Sequence, residues 1–356
     1  MPRYSAICTV RTASGVYPKS ANTPAFTLAL GWMRDPTGAD GRVARFMTPD
    51  LCVAICTYRR RAFLPSVLAS LQAQKTPGMV WEVLIVDNAV EADVAALVAE
   101  WQSHPLPFYL RYVPEPRVGL SFARNRALAA TSAPLIAFID DDAQAGTNWV
   151  LAVRQALARW PTCVALGGPI RPVPSQTVPD WWPPEYASLL TILDLKTDDG
   201  WLHGPHFPAG ANCAFRRAVL ESVGGFRTDL GAGAELPFGE DSEMFQRLLR
   251  QGHGLRFEPE VWVCHQLPVE RLTYAYFHQR LYREGRMQAA LDRQYKGWMY
   301  CLLRGLARWG LWLQGVPAWL GARHRSQPMV ECRYAARWYK LRGYWYQLCR
   351  DIVPPR

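Results

Sequence analysis

The sequence predicts an α/β fold in which a mainly parallel central sheet is followed by a helical C-terminal extension. Two patterns predict it. Between residues 51 and 159, short apolar runs alternate with segments of helical periodicity. The apolar runs lack in/out alternation, which is typical of parallel strands covered on both faces. Beyond residue 268 the chain becomes basic and rich in Trp and Tyr, as expected of a separate helical segment.

The elements of the α/β part follow one another as strand and helix. The predicted strands are short and apolar, and they cover residues 51–56, 81–86, 108–113 and 135–139. The predicted helices follow these strands and cover residues 64–71, 91–102, 122–130 and 149–159. A Pro- and Trp-rich stretch, residues 169–184, is expected to be a long loop that covers the core or shapes a pocket.

The chain is expected to divide into three segments. Residues 1–48 are rich in Ser, Thr, Pro and Gly and predict a poorly ordered extension, so a translation start at Met47 would lose little of the fold. Residues 49–268 form the α/β domain. Residues 269–356 form the basic, aromatic-rich helical extension.

Composition narrows the class of protein. Hydrophobic residues make up 49% and charged residues 20% of the 356 residues, which excludes a disordered chain. Nine scattered cysteines without a C-x-x-C pair predict a reducing compartment, so we expect a cytoplasmic protein without disulfides. The longest uncharged C-terminal run, 309–322, is 14 residues long, whereas a spanning helix needs roughly 20.

Polar residues follow three of the predicted strands at the point where each strand ends. They are Thr57, Asp87 and the triplet Asp140–Asp142. Ligands of open α/β sheets bind outside the carboxyl ends of the strands, so neighbouring strands would bring these residues to one crevice. Three adjacent carboxylates repel one another, and a hard cation such as Mg²⁺ or Mn²⁺ would offset that repulsion while binding phosphate oxygens. An isolated triplet is equally explained by a solvated acidic turn.

Five motifs in this order resemble those of the family 2 glycosyltransferases, enzymes with the GT-A fold. They are Cys56-Thr57-Tyr58-Arg59-Arg60, Val86-Asp87-Asn88, Gly119–Asn125, Phe138–Asp142 and Phe238–Glu243. The resemblance covers about residues 50–268 and identifies 49–268 as a GT-A glycosyltransferase domain. It implies an inverting transfer from a nucleotide-diphosphate sugar that depends on Mn²⁺ or Mg²⁺.

The resemblance also implies which residues contact the nucleotide. Thr57 and Arg59 are expected to line the nucleotide pocket, Asp87 to bond the base or ribose, and Arg124 to lie near the nucleotide or its phosphates. A turn-forming aspartate and a surface helix charge are the alternatives for Asp87 and Arg124. Ala89-Val90 departs from the small Gly or Ser that often follows Asp-Asn in the family, which weakens the local nucleotide contacts.

Within the triplet, the resemblance implies separate roles. Asp140 is expected near the ribose and Asp142 on the metal, while Asp141 is expected to contribute least. His265 follows an apolar strand and is a further candidate metal ligand, with a structural histidine as the alternative.

On the acceptor side, the family pattern implies that Asp241 is the catalytic base. Glu240 and Glu243 compete with it, and acidic residues in a first helical turn also complement the helix dipole without any catalytic role. Asn212 is expected to contact the donor sugar or the acceptor, because it lies in a segment of small residues that a ligand can approach closely.

The C-terminal segment carries most of the basic charge. Residues 270–350 contain 15 Lys and Arg against 4 Asp and Glu, together with six Trp. This pattern suits peripheral contact with an anionic membrane at the inner face of the plasma membrane. A packed helical extension with a solvated basic face is the main alternative, and nucleic acid is a less favoured partner.

The leading interpretation is therefore a glycosyltransferase that acts on a saccharide or lipid-linked saccharide in surface polysaccharide or glycolipid assembly. A non-catalytic carbohydrate- or nucleic-acid-binding protein with the same fold is the rival class. A nucleotidyltransferase is disfavoured because residues 56–62 contain no Gly-rich phosphate loop. The sugar, the nucleotide, the linkage and the oligomeric state are not encoded in any recognisable pattern.

Overall fold

A computed structural model describes residues 48–204 and 206–352 of the protein. The predicted N-terminal extension, apart from Thr48, lies outside the described residues. The strands are β1 (Leu51–Thr57), β2 (Trp81–Asp87), β3 (Tyr109–Pro114), β4 (Leu135–Ile139), β5 (Ala143–Ala145), β6 (Cys163–Gly167), β7 (Ile170–Pro172), β8 (Trp201–Leu202), β9 (Asn212–Arg216), β10 (Gly254–Phe257) and β11 (Val263–His265).

The helices lie between these strands and after them. They are α1 (Leu64–Gln72), α2 (Ala92–Gln102), α3 (Leu120–Ala130), α4 (Trp149–Arg159), α5 (Arg217–Ser222), α6 (Glu240–Arg250), α7 (Tyr274–Gln314), α8 (Val316–His324) and α9 (Pro328–Ile352). Every strand and helix predicted between residues 51 and 159 is present, with ends that agree within two residues.

The central sheet has eight strands in the order β3-β2-β1-β4-β9-β6-β10-β8. Strands β3, β2, β1 and β4 are mutually parallel, and β10 is parallel to β6, whereas β9 runs antiparallel to both β4 and β6. The predicted mainly parallel α/β fold is confirmed.

Strand β1 is buried on both faces of the sheet, which explains why its sequence is apolar throughout. Leu51, Val53 and Ile55 point into a core on one face of the sheet. Cys52 and Ala54 point into a second core on the other face. Helices α1, α2 and α4 cover the first face, and α3, α5 and α6 cover the second. Because both faces are buried, successive side chains must all be apolar.

A separate three-stranded sheet, in the order β5-β11-β7, lies next to the acidic triplet. Strand β11 pairs antiparallel with β5, so His265 stands opposite Ala143, the residue that follows Asp142. The backbone N–H of Gln266 donates to the carbonyl of Asp142 at 3.0 Å. This pairing brings residues more than 120 positions apart in the chain to one place.

The C-terminal extension consists of α7, α8 and α9, and α9 packs along α7. Two glycines allow the close crossing of these helices. A Cβ atom on Gly343 would lie 1.9 Å from the carbonyl oxygen of Tyr282, and one on Gly285 would lie 2.1 Å from that of Lys340. Helix α7 is interrupted at Gly297, which has a φ of 80°.

The Pro- and Trp-rich stretch joins the extension to the α/β domain. Trp182 is buried against Phe277 and Leu281 of α7, and Trp181 stacks on Tyr274 with ring centroids 3.9 Å apart. The domain boundary predicted at residue 268 falls between β11 and the short helix Val269–Arg271, and it stays a prediction. In the described part of the chain, no helix has both the length and the apolar character required to cross a membrane.

Candidate active site

A cavity of about 630 Å³ opens at the carboxyl ends of β1 and β4. Its walls also include the N-terminal turns of α3 and α6 and, on one side, the first part of α7. The parallel register of β1 with β2 places Thr57 beside Asp87, and β4 ends next to them at the triplet. The predicted convergence of the strand ends is therefore present.

Asp141 turns toward β1 and is held there by two partners. The Thr57 hydroxyl donates to its carboxylate at 2.8 Å, and a guanidinium nitrogen of Arg60 lies 2.9 Å away. Burial raises the pKa of Asp141 to about 7, although the charge of Arg60 and the Thr57 hydrogen bond act in the opposite direction. Asp141 thus anchors the end of β4 against β1.

Asp140, Asp142 and His265 form a compact group of potential metal ligands. One ligand atom from each lies within 4.8 Å of the others. The Nε2 of His265 is 3.0 Å from a carboxylate oxygen of Asp142, and both side chains are buried. Burial alone would raise the pKa of Asp142, but the hydrogen bond and charge of His265 and the charge of Arg60 together lower it.

This donor set fits a hard divalent cation. Two carboxylates and an imidazole suit Mn²⁺, and the carboxylates alone suit Mg²⁺. The Nδ1 of His265 is buried without a hydrogen-bond partner among the described residues, so the ring retains an unused nitrogen. Asp140 lies with this group of potential metal ligands, and its contact with the ribose stays a prediction.

The structure brings Arg60, and not Arg59, to the cavity. Arg59 adopts a positive φ of 55°, and its exposed side chain lies over the ring of Tyr58. The turn directs Arg60 back over the triplet, where it pairs with Asp141 and Asp142. The sequence contained both residues in a run of three arginines, Arg59–Arg61, and nothing in the run distinguishes them.

Asp87 is committed to its own loop and does not line the cavity. Its carboxylate accepts from the backbone N–H groups of Ala89, Val90 and Glu91 and from the hydroxyl of Tyr112. This arrangement matches the alternative of a turn-forming aspartate, and a contact of Asp87 with a base or ribose stays a prediction.

The neighbouring Asn88, which was not singled out from the sequence, reaches the cavity wall. Its side-chain oxygen accepts from the backbone N–H of Gly119 at 2.7 Å, and its amide donates to the carbonyls of Glu115 and Arg117. Asn88 therefore fixes the loop that precedes α3. The Val86-Asp87-Asn88 motif was the signal that pointed to this position.

Arg124 lines the cavity and is 3% exposed. It pairs with Glu240 at 2.7 Å, and a Cβ atom on Gly210 would lie 2.2 Å from its guanidinium, so a larger residue at position 210 would have to displace this side chain. Burial alone would lower the pKa of Arg124. The nearby carboxylates, led by Glu240, outweigh this effect and raise the pKa, so the residue stays charged. The pair joins the start of α3 to the start of α6.

Asp241 is the acidic residue of α6 that faces the cavity without a cationic partner in the described part of the chain. One carboxylate oxygen accepts from the backbone N–H of Gly210 at 2.8 Å, and the other accepts from that of Ser242 at 2.7 Å. Its two competitors are engaged elsewhere. Glu240 pairs with Arg124, and the buried Glu243 pairs with Arg247 and accepts from the hydroxyl of Tyr295 at 2.8 Å.

Asn212 does not reach the cavity, contrary to expectation. Its side chain is fully buried, accepts from the indole N–H of Trp149 at 2.8 Å and donates to the carbonyl of Val261 at 2.6 Å. The residue ties α4 and the segment before β11 to β9. Its neighbours Gly210 and Ala211 line the cavity in its place.

The extension contributes part of the cavity wall, which the sequence did not predict. Arg271, Tyr276, Arg280 and Met287 line it from the short helix Val269–Arg271 and from α7. Spacings of four, seven and eleven residues place the α7 side chains on one helix face. A periodic pattern identifies such a face but not what the face packs against.

Known proteins resemble this chain in both sequence and structure. A family model described as Glycosyl transferase family 2 matches residues 52–224. The succinoglycan biosynthesis protein ExoM of Rhizobium meliloti (strain 1021) is 31% identical over 247 residues, which cover 68% of this chain and 75% of that protein. The glucosyl-dolichyl phosphate glucuronosyltransferase of Haloferax volcanii is 25% identical over 179 residues, 50% of this chain and 57% of that protein.

Among solved structures, a mannosyltransferase from Pyrobaculum calidifontis, in complex with GDP-Man and Mn²⁺, is similar with a TM-score of 0.53 at 22% identity. The similarity covers 87% of this chain and 77% of that one. The arrangement of the sheet and its cavity defines an α/β protein of the GT-A type. The extent of the similarity to ExoM goes further, because it shows that the chain belongs to the family 2 glycosyltransferases.

Proposed function

We propose that this protein is an inverting, metal-dependent glycosyltransferase that moves a sugar from a nucleotide-diphosphate sugar to an acceptor hydroxyl. The observation that carries the proposal is the presence of two chemically distinct groups in one cavity region. Asp140, Asp142 and His265 form a group that could hold a cation at one side. At another side, Asp241 presents a carboxylate that has no ion pair among the described residues.

The donor side is supported by charge and geometry. Mn²⁺ or Mg²⁺ bound by Asp140, Asp142 and His265 would neutralise the diphosphate as it departs. Arg60 and Arg271 stand beside the same carboxylates, with Arg271 3.9 Å from Asp142, and supply further positive charge for phosphate oxygens. The mannosyltransferase of similar fold was solved with GDP-Man and Mn²⁺, which agrees with this chemistry.

Asp241 is proposed as the base. As the acceptor oxygen bonds to the anomeric carbon, the bond from that carbon to the diphosphate oxygen breaks on the opposite face, and the acceptor's proton passes to the Asp241 carboxylate. The backbone N–H groups of Gly210 and Ser242 hold this carboxylate in a fixed orientation.

The relatives support an acceptor in polysaccharide or glycolipid assembly. One takes part in succinoglycan biosynthesis, and another is a glucuronosyltransferase for glucosyl-dolichyl phosphate, a lipid phosphate. We propose a saccharide or lipid-linked saccharide as the acceptor of this enzyme.

The test begins with a search for the donor. Nucleotide sugars are screened with Mn²⁺ by thermal shift, because a bound ligand raises the melting temperature. Hydrolysis of the selected donor is then measured in the wild type and in Asp142→Ala. We expect hydrolysis to need the metal and to fall at least about a hundredfold in the variant, as expected when a metal-bound charge stabiliser is lost.

The exposed residue Asp198 provides a matched control, since Asp198→Ala removes one acidic residue of a surface loop. Hydrolysis that continues at the wild-type rate in Asp142→Ala, or in EDTA, would exclude the metal-dependent mechanism.

We also propose peripheral contact of the extension with an anionic membrane. Helices α7 and α8 leave large apolar side chains 55–70% exposed: Met299, Leu303, Leu306, Leu311, Leu313 and Leu320. Met299, Leu303, Leu306 and Leu313 lie three, four or seven residues apart and form a stripe on one face of α7. Residues 293–330 contain six Lys and Arg and no Asp or Glu. Three of these cations pair with acids outside the segment, Arg293 with Asp351 and both Lys296 and Arg304 with Asp292. The other three are Arg308, Arg323 and Arg325. Exposed apolar side chains beside positive charge are typical of helices that lie in an anionic lipid interface.

A further inference from the structure

Two arginines of α7, one of them in the cavity wall, have no acidic partner among the described residues. Arg280 lines the cavity, and its Nε atom is buried with no hydrogen-bond partner among the described residues. Arg283 follows three residues later on the same side of the helix. Neither forms an ion pair within the part of the chain that the structure describes. The nearest carboxylate on this face, Glu284, is already bound to Lys340 of α9 at 2.8 Å.

Both guanidinium groups rest on one aromatic ring. The ring centroid of Phe238 lies 4.9 Å from the guanidinium carbon of Arg280 and 5.6 Å from that of Arg283. A shared ring holds the two groups close together in spite of their like charge. Burial and the positive charges of Arg280 and Arg286 lower the pKa of Arg283. The site therefore holds positive charge that the described protein does not neutralise.

The position of this pair favours the acceptor side of the cavity. Phe238 precedes Asp241 by three residues, so the arginines lie beside the segment that carries the proposed base. The metal ligands have their own arginines, Arg60 and Arg271, on the other elements of the cavity wall. A donor diphosphate held by those groups would leave Arg280 and Arg283 free to bind a different anion.

We propose that Arg280 and Arg283 form an anion subsite that binds a phosphate or diphosphate group of the acceptor. Two guanidinium groups side by side offer several N–H donors in planar forks, a geometry that matches phosphate oxygens. The inference rests on the proposed function, because only a glycosyltransferase needs an acceptor at Asp241. It gives the extension a direct part in substrate recognition.

The subsite is tested by calorimetric titration of the full-length protein in EDTA. EDTA removes the metal-dependent part of phosphate binding at the donor side. The probes are farnesyl diphosphate, inorganic pyrophosphate and uncharged farnesol. We expect both diphosphates to bind the wild type, farnesol to bind far more weakly than farnesyl diphosphate, and Arg280→Gln/Arg283→Gln to weaken diphosphate binding at least about tenfold.

Arg154→Gln/Arg159→Gln is the matched control, since it removes two exposed arginines from α4, away from the cavity. Its diphosphate affinity should equal that of the wild type. If the glutamine pair fails to fold, Arg280→Lys/Arg283→Lys keeps the charge but loses the planar forks and should bind diphosphate more weakly than the wild type. Tighter binding of farnesyl diphosphate than of pyrophosphate identifies a lipid-borne anion, and equal binding identifies a free phosphate ligand.

Donor hydrolysis separates this inference from the proposed function. We expect the arginine variant to hydrolyse the nucleotide sugar with an unchanged KM, because hydrolysis needs no acceptor. Unchanged diphosphate affinity in Arg280→Gln/Arg283→Gln would overturn the subsite while metal-dependent hydrolysis still stood. A donor KM that rises with the loss of anion binding would assign the arginines to the donor diphosphate and overturn the acceptor assignment.

Discussion

The edge of the central sheet at the triplet and residues 293–330 of the extension both carry many charged residues. The two regions differ in how exposed these charges are. At the sheet edge, Asp141 and Asp142 are only 3% and 2% exposed, and both pair with Arg60. In residues 293–330, arginines such as Arg323 and Arg325 are exposed next to exposed leucines. The first region encloses its charges, whereas the second exposes them, as the proposed contact with a membrane surface requires.

The difference is also one of geometry. The register of β1, β2, β4 and β11 fixes the positions of the charges at the sheet edge, so that they lie at hydrogen-bond distances from one another. Charges in residues 293–330 follow only the helical period. Precise separation matters for catalysis, whereas binding to a fluid anionic surface requires only that charge and apolar area share a face.

The largest effect should follow a change at the enclosed site. Asp241→Asn keeps the shape of the side chain and an oxygen that can accept from Gly210, but it removes the basic carboxylate. We expect sugar transfer to a lipid extract of the producing cells to fall about 10²- to 10⁴-fold, the usual contribution of a general base. The thermal shift caused by the donor with Mn²⁺ should stay as in the wild type.

Glu243→Gln tests the specificity of that result. Glu243 is buried against Arg247 and Tyr295 and does not line the cavity, so its loss should lower the melting temperature without a comparable loss of transfer per folded molecule. Full transfer activity in Asp241→Asn would show that another group takes the proton.

A smaller effect is expected at the exposed region. Leu303→Gln/Leu306→Gln removes two exposed apolar side chains from α7. Burying a leucine stabilises by about 1.5–3 kcal/mol, so sedimentation with phosphatidylglycerol liposomes should weaken at least about tenfold. Donor hydrolysis in the absence of lipid should not change, because neither residue lines the cavity.

Val269→Gln is the control for this pair, since Val269 is 75% exposed but lies before α7, outside the basic, acid-free segment. Its liposome binding should match that of the wild type. Equal sedimentation of all three proteins, or binding to neutral phosphatidylcholine as strong as to anionic lipid, would contradict membrane contact through this stripe.

The sequence predicted the local features of both regions because their signals are local. Strand and helix positions between residues 51 and 159 follow from periodicity within each segment, and the placement of the triplet after β4 follows from them. The choice between Arg59 and Arg60 depends on one positive φ angle, which a run of three arginines does not encode.

Features that depend on distant residues could not be predicted. Asn212 resembled a ligand contact in its local segment, but its partner Trp149 lies 63 positions away in the chain. The contribution of Arg280 to the cavity depends on how α7 packs on the α/β domain, and that packing rests on contacts between distant residues, such as Trp182 with Phe277 and Trp181 with Tyr274. Such contacts are set by complementary shapes that no single segment specifies.

Gly343→Ala, at the crossing of α7 and α9, should have the smallest effect on catalysis. We expect it to lower the stability of the protein. Alanine normally stabilises a helix interior by about 1 kcal/mol relative to glycine. At Gly343 the added Cβ would lie 1.9 Å from the carbonyl of Tyr282, a backbone atom, so overpacking of about 1–3 kcal/mol should outweigh that gain. Gly310→Ala in α7 is the control, because nothing lies within 4 Å of its Cβ position, and it should raise the melting temperature slightly. Urea unfolding distinguishes the two variants. If Gly343→Ala proves as stable as Gly310→Ala, the helices do not cross as closely as described, and the arginine subsite on α7 loses the packing that holds it at the cavity.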